Sequence, residues 1–258
     1  MSVRAEKRRA ITVITIDRPE VRNAIDHLTA QALRAALLDF DGDAGAAVAV
    51  LTGAGGVFCA GFDLKAIGDP DRQPQIRPDG PPPMGFSDLL LTKPVIAAVE
   101  GYAVAGGLEL AIWCDLRVAA EDAVFGVFNR RWGVPLIDGG TVRLPRLVGQ
   151  GRALDLVLTG RGVAGAEAQG MGLVSRLVPK GKALAAALEL AGELTGFPQD
   201  GLRSDRLSVH EQWELPQRLA FDNERRRGLE SIASGEWVKG ASRFASGQGR
   251  HGKPGAPG

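Results

Sequence analysis

Along the chain, short apolar runs alternate with amphipathic stretches, the rhythm of strands and helices taken in turn. Ile11-Thr12-Val13-Ile14-Thr15-Ile16 is a β-branched run stopped by Asp17-Arg18-Pro19, which predicts a strand. Ala32, Leu33, Ala36, Leu37 and Phe40 then recur at helical spacing behind a cap at Asp26 or Thr29, and Gly42 to Gly45 ends that helix. Residues 47–51 form a continuous apolar strand, followed by the turn Thr52-Gly53-Ala54-Gly55-Gly56 and a loop, 57–65, that leads toward a short helix. A second apolar strand at 95–99 repeats the rhythm and predicts a stacked parallel arrangement. Between them, residues 68–85 (GDPDRQPQIRPDGPPPMG) are rich in proline, glycine and charge, which predicts a mobile loop outside the core.

The stretch 95–119, VIAAVEGYAVAGGLELAIWCDLRVA, organises the rest as strand, glycine-rich turn, helix and strand. Gly106 and Gly107 open an apolar helical segment, Leu108 to Cys114, whose single charge is Glu109. A helix N-terminus offers unpaired backbone N–H groups and the positive end of the dipole, so it suits a developing negative charge. Glycine there lets a ligand oxygen approach the backbone. Glu109 lies three residues after Gly106 and points from the same first turn. An anion-binding amide beside a poorly solvated carboxylate is a reactive arrangement. A tight helix–strand turn with a glutamate stabilising the dipole accounts for the same residues.

The second half is helical. Gly139-Gly140-Thr141 opens a helix through Val142, Leu144 and Leu147, and Gly151-Arg152-Ala153-Leu154 opens another that ends at Thr159-Gly160. A short helix over 164–170, a strand over 173–178 stopped by Pro179, and long amphipathic helices over 182–194 and 211–234 follow. Trp237 and Phe244 anchor a last helix, and the chain from Ser246 onward is expected to be disordered. The implied division is a core over residues 1–195, a helical region over 196–245 and a tail over 246–258.

Composition narrows the function classes. An apolar share of 45% and a charged share of 24% over 258 residues are ordinary for one large soluble domain with a helical appendage. A net charge of +1 gives no footprint for nucleic acid or an anionic membrane surface. Cys59 and Cys114 lie in apolar surroundings without CxxC spacing, so they are read as free thiols of a reducing compartment. His27, His210 and His251 are scattered without ligand spacing, and no metal is implied. The charged N-terminus lacks a signal core and no apolar run approaches a membrane span, so a cytoplasmic location is expected.

Six ordered motifs carry a family likeness: DRPEVRNAID at 17–26, FCAGFDLK at 58–65, KPVIAAVEGYAVAGGLELAIWCDLRVA at 93–119, FGVFNRRWGV at 125–134, GGTVRLPRLVG at 139–149 and LTGRGVAGAEAQGMGLVSRLVP at 158–179. With them the chain, over residues 11–252, resembles the crotonase superfamily of enoyl-CoA hydratases and isomerases. The resemblance implies an α/β fold, a spiral of ββα turns with a C-terminal helical region that builds trimers. It places an oxyanion hole on the backbone N–H groups of Phe62 and Gly106, with the Phe62 side chain shaping the acyl pocket or serving as plain core.

The same resemblance makes Glu109 the first of the two glutamates used by hydratases. The second falls on Asn129, which can orient a water but can neither take nor give a proton. Asp138 either compensates for the missing carboxylate or caps the helix opening at the glycine pair. Arg130 and Arg131 either pair with these carboxylates or are solvated or structural. Coenzyme A, as part of the substrate and not a separate cofactor, is expected to meet Arg22, Lys65 and the stretch that includes Ala60, Asp63 and Leu64. Phe244 is expected to close over it, from its own or a neighbouring subunit, while the side chains of Asp63 and Asp115 serve turns or caps. The implied activity is addition of water to, or its removal from, a 2-enoyl-CoA thioester by a homotrimer or hexamer. Other enolate chemistries (isomerisation, thioester hydrolysis, decarboxylation) and a catalytically weak acyl-CoA-binding protein stay open.

Overall fold

The computed structural model describes residues 2–77 and 79–247. Its first unit is β1 (Val3–Arg8), β2 (Ile11–Ile16), α1 (His27–Gly42) and β3 (Val48–Gly53). Then come β4 (Val95–Val99), β5 (Tyr102–Val104), α2 (Gly106–Trp113), β6 (Leu116–Ala120) and β7 (Val124–Gly126). The chain continues through α3 (Gly140–Val148), α4 (Gln150–Thr159), β8 (Gly162–Ala164), α5 (Gly165–Gly170), β9 (Arg176–Val178) and α6 (Ala183–Thr195). Six strands form one sheet in the order β1-β2-β3-β4-β6-β9, parallel apart from the β1–β2 hairpin. β5, β7 and β8 form a second, three-stranded sheet. The strand pairs and intervening helices follow the ββα winding that the resemblance implies.

The unbroken apolar runs of β3 and β4 follow from two cores, one on each face of the large sheet. Val48, Val50, Ile96 and Ala98 pack with Ala183, Ala187 and Leu190 of α6. Ala49, Leu51, Ala97 and Val99 face the other way, against Leu33 and Leu37 of α1 and Leu108 and Leu110 of α2. Alternate side chains of one strand thus enter different cores, and the one buried polar residue of β3, Thr52, donates its hydroxyl to the Ala98 carbonyl (3.1 Å). All eight residues of α2 are buried. Beneath its C-terminal end Arg117, 4% exposed, donates from Nε to the Leu173 carbonyl (2.7 Å) and from one Nη to those of Cys114 (2.7 Å) and Ala111 (3.3 Å).

Several elements differ from the sequence reading. β1 was not expected: only Val3 is buried in it, so it carries almost no apolar signal and is held by the hairpin register Val3–Ile16 to Arg8–Ile11. The strand expected over 173–178 is confined to Arg176–Val178. The long helix expected over 211–234 is confined to α8 (Gln217–Ala233), because Leu215 and Pro216 turn the chain where proline excludes helical continuation, and the preceding α7 (Gln199–Glu211) was not expected. α9 (Glu236–Ala245) carries Trp237 and Phe244, as expected. The stretch expected as a loop outside the core ends inside it, with Met84 and Phe86 fully buried. Ser246 and Gly247 follow α9, and the rest of the expected tail, from residue 248, lies outside the described residues.

Asp115 joins α7 to the sheet. Its Oδ2 accepts the Val95 N–H (2.7 Å), while Oδ1 meets Arg206 Nε (2.8 Å) and His210 Nε2 (2.9 Å). Both cysteines are free and buried, and burial pushes their thiols up, that of Cys59 to about 12. No helix among the described residues is long and apolar enough to cross a membrane.

Candidate active site

Two backbone segments meet at the mouth of α2. Cys59 bridges to Ala103 and Ile25 to Phe62, so the loop after β3 runs alongside β5. In the second bridge the Ile25 N–H donates to Gly61 O (2.8 Å) and the Asp63 N–H to Ile25 O (3.0 Å), which leaves the Phe62 N–H turned away. Gly61, at φ +93°, makes the close approach possible: a Cβ there would stand 2.8 Å from the Gly106 nitrogen. Among the described residues neither Phe62 N–H nor Gly106 N–H has an acceptor. Ala105 turns the chain from β5 into α2 at φ 53° and ψ −125°, a conformation that costs an L residue of order 1–3 kcal/mol.

Glu109 stands on that first helical turn, 2% exposed. Its Oε1 accepts the N–H groups of Gly140 (2.8 Å) and Asp138 (2.9 Å), and Oε2 accepts from no described residue. A Cβ on Gly140 would lie 2.9 Å from Oε1, so a larger residue there would have to displace the Glu109 carboxylate. Burial, against the pull of those two donors, pushes the Glu109 carboxyl up to about 7. This is the range in which a carboxylate exchanges protons near neutrality.

Glu109 and Gly106 line a cavity of ≈ 150 Å³ with Phe62, Ala60, Leu64 and Asn129, together with Phe128 and Trp132 of the 3-10 turn Phe128–Trp132. The cavity thus brings together Phe62, Gly106, Glu109 and Asn129 from motifs separated by up to 67 positions (129 minus 62). Asn129 is 5% exposed; its Nδ2 donates to the Val134 carbonyl (2.7 Å), and its Oδ1 is buried without a partner.

Asp138 does not line that cavity. It is fully buried, with Oδ1 accepting from the Met84 N–H and Ser87 Oγ (3.3 Å each) and Oδ2 unpartnered. Burial pushes its carboxyl up to about 6. The expected cap is not made: Gly139 holds the N-cap position of α3 at φ 93°, and the Asp138 side chain bonds backward to the 84–87 segment. Arg143 completes this tie, donating to Ser87 O (2.8 Å) and Asp138 O (3.3 Å).

The residues expected to meet coenzyme A separate into groups. Ala60 and Leu64 line the cavity. Arg22 is exposed, and its carbonyl accepts the Ala60 N–H (3.1 Å), which sets it beside the cavity wall. Lys65 is exposed one residue beyond Leu64. Asp63 is buried instead: its Oδ2 pairs with Arg18 and Arg72 (2.9 Å each), and its Oδ1 accepts the Lys65 N–H (3.2 Å), so its carboxylate is a turn and ion-pair group unavailable to a ligand. Phe244, 63% exposed on α9, does not reach the cavity of its own chain. Arg130 and Arg131 donate to the carbonyls of Val157 (3.2 Å) and Gly160 (3.0 Å), not to carboxylates. Sequence reading missed Met84, whose Sδ would lie 2.1 Å from a Cβ on Gly106 and which therefore seals the back of the helix start. The apolar Met84-Gly85-Phe86 after a proline run was the available signal. Ala105 gave none.

A family model described as enoyl-CoA hydratase/isomerase matches residues 6–248. The chain belongs to the enoyl-CoA hydratase/isomerase family. It is 37% identical over 244 residues to enoyl-CoA hydratase EchA19 of Mycobacterium tuberculosis, covering 93% of this chain and 92% of the relative. It is 41% identical over 190 residues to carnitinyl-CoA dehydratase of Salmonella typhi, covering 71% of this chain and 70% of that protein. The crystal structure of enoyl-CoA hydratase EchA1 from Mycobacterium marinum superposes with a TM-score of 0.89 at 36% identity, over 95% of this chain and 96% of that one. The chain therefore has the crotonase fold with its helical C-terminal region, and its family places it among the hydratase-like lyases.

Proposed function

We propose that this enzyme adds water to a 2-enoyl-CoA thioester, or removes it from the 3-hydroxyacyl-CoA, with Glu109 as its proton carrier. The observation that carries this reading is Glu109 Oε2, unpartnered in a largely apolar cavity whose wall holds the unpaired N–H groups of Phe62 and Gly106. In hydration, the Glu109 carboxylate takes a proton from water as the water oxygen bonds to Cβ. The electron pair of the double bond moves onto the thioester oxygen, where the two N–H groups receive the negative charge. The enolate then takes the proton from Glu109 at Cα, which restores the thioester and the carboxylate. Dehydration is the reverse. Arg22 and Lys65, exposed beside the cavity wall, are positioned for the phosphates of coenzyme A. No separate cofactor enters these steps.

Incubation with a short 2-enoyl-CoA in H₂¹⁸O, followed by mass spectrometry, should show the thioester gaining one labelled water. With one carboxylate carrying the proton, kcat/KM should climb along a single limb to a plateau, with its midpoint set by the Glu109 pKa of about 7. Both directions should share that limb, since the overall reaction releases no proton. A bell-shaped profile would bring Asp138 into the chemistry. Thioester binding without water exchange would reduce the protein to an acyl-CoA binder.

The assembly proposed with this function is a homotrimer or a pair of trimers in the cytoplasm. Its support is the half or greater exposure of Trp213, Leu219, Phe221, Leu229, Trp237 and Phe244 across the helical region. Light scattering at micromolar concentration should give three or six times the chain mass of 27.1 kDa, and a monomer would exclude it.

A further inference from the structure

The loop that carries Phe62 is held by four charges outside the cavity. Ile25 and Phe62 form a parallel bridge, so the residues that follow them, Asp26 and Asp63, stand side by side. Both carboxylates are buried, their side chains 7% and 4% exposed. Arg18 Nη2 contacts both, at 3.2 Å from Asp26 Oδ2 and 2.9 Å from Asp63 Oδ2, so those two oxygens lie no farther apart than the two distances combined. Like charges this close repel strongly when water is excluded. Arg72 supplies the second cation, with Nε at 3.1 Å from Asp26 Oδ2 and Nη2 at 2.9 Å from Asp63 Oδ2. Two carboxylates and two guanidinium groups then cancel. The arginines differ in origin. Arg18 is buried and also donates to the Ala24 carbonyl (2.6 Å), whereas Arg72 belongs to the proline-rich 68–85 segment and is 38% exposed at its side chain. Its carbonyl accepts the His27 N–H at the start of α1 (2.9 Å), and it does not line the cavity.

We infer that Arg72 is a positioning residue for the proposed reaction: by clamping Asp26 to Asp63 it fixes the Phe62 amide, so a segment outside the cavity sets one of the two donors to the thioester oxygen. This rests on the acyl-CoA reading above. Without Arg72, two buried carboxylates share one guanidinium, and removing one partner of a buried ion pair leaves an uncompensated charge. The repulsion falls on the bridge itself. Its two bonds, Ile25 N–H to Gly61 O (2.8 Å) and Asp63 N–H to Ile25 O (3.0 Å), hold the peptide groups on either side of Phe62. Parting of Asp26 from Asp63 therefore turns the Phe62 N–H away from the position it holds opposite Gly106. Arg72 reaches neither substrate nor reacting atoms, and its effect passes entirely through the bridge. Because its side chain is partly exposed, a small planar cation from solution can enter the place that its guanidinium leaves.

The test compares the full native chain with Arg72→Ala and Arg72→Lys on a short 2-enoyl-CoA. In Arg72→Ala, kcat should fall about 10-fold, part of the 10²–10³ that outright loss of such a donor costs, with KM nearly unchanged. Guanidinium chloride at low, non-denaturing concentration should return most of that kcat, and sodium chloride at the same concentration should not. Arg72→Lys keeps one charge and should lose less; it gives the comparison with the native chain if Arg72→Ala does not fold. Titration with 3-oxobutanoyl-CoA supplies a second readout, since its enolate absorbs in the near ultraviolet and the bound enolate fraction reports how well the amides receive charge. That fraction should drop in Arg72→Ala and return with guanidinium. An unchanged kcat or an unchanged enolate fraction in the folded variant overturns the inference. So does a loss that neither guanidinium nor Arg72→Lys lessens, because the path of the segment and not the charge would be its cause. A native chain that neither hydrates the enoyl thioester nor ionises the oxo thioester overturns the acyl-CoA reading itself.

Discussion

Glu109→Gln is expected to lower turnover by about 10²–10⁴ while leaving the fold and thioester binding in place. The glutamine oxygen can still accept the N–H groups of Asp138 and Gly140, so the geometry survives and only the titrating proton is lost. The same variant carries a stability signature of definite sign. The Glu109 carboxyl is raised from 4.5 to about 7, so between those values the folded protein holds a proton that the unfolded chain has lost. Its favourable contribution is complete below the unfolded value and is lost as pH rises through the folded one. The native protein should therefore lose stability between pH 4.5 and about 7 to a greater extent than Glu109→Gln, and the variant should gain on it most at alkaline pH. Urea unfolding at pH 5 and pH 8 measures this directly. Full turnover in Glu109→Gln would transfer the base role to Asp138. Equal pH dependence of stability would mean that the carboxylate is better solvated than its burial indicates.

The second large effect concerns the paired amides. Gly106→Pro removes one of them, and losing a single such donor typically costs about 10²–10³ in rate. Proline alone is a poor probe here, because any Cβ at this position meets Met84 Sδ at 2.1 Å. The informative pair is therefore Gly106→Pro with Met84→Ala against Gly106→Ala with Met84→Ala. Both open the same space and only one deletes the N–H. Turnover should differ between the two by about 10²–10³, with little difference in thioester affinity. Equal turnover would exclude the Gly106 amide from the reaction.

Much of this site was legible because its chemistry depends on residue types that sequence displays. Glycines at 106, 107, 139 and 140, and one charge in an apolar helix, are visible without coordinates. β2, β3, β4 and α1 were equally plain, since each carries a long apolar period. Elements of three residues were not: β5, β7 and β8 are too short for alternation to register, and only their mutual pairing makes them a sheet. The strain at Ala105 was invisible because an alanine does not announce a positive φ; the surrounding β5–α2 junction imposes it. Asp138 illustrates a third limit. Its place before a glycine pair left a helix cap and a compensating carboxylate both open, yet its partners lie some fifty positions upstream at Met84 and Ser87, a contact no local pattern encodes.

In the proposed chemistry the buried Arg117 beneath α2 would act on the enolate although it does not line the cavity. A helix carries about half a unit of positive charge at its start and half a unit of negative charge at its end. Arg117 occupies the negative end, accepted by the carbonyls of Ala111 and Cys114, while the positive end opens at Gly106. The guanidinium thereby offsets the negative end of α2, a site it shares with the Asp115 carboxylate, and leaves the positive end at Gly106 less opposed. With a helical rise of 1.5 Å per residue, the guanidinium stands roughly 12 Å from the enolate oxygen it would attract. At an effective dielectric constant of about 20 that attraction is on the order of 1 kcal/mol, close to tenfold in rate. In the proposed chemistry, part of the charge that would stabilise the enolate is thus held on the far side of the central helix, on a buried guanidinium.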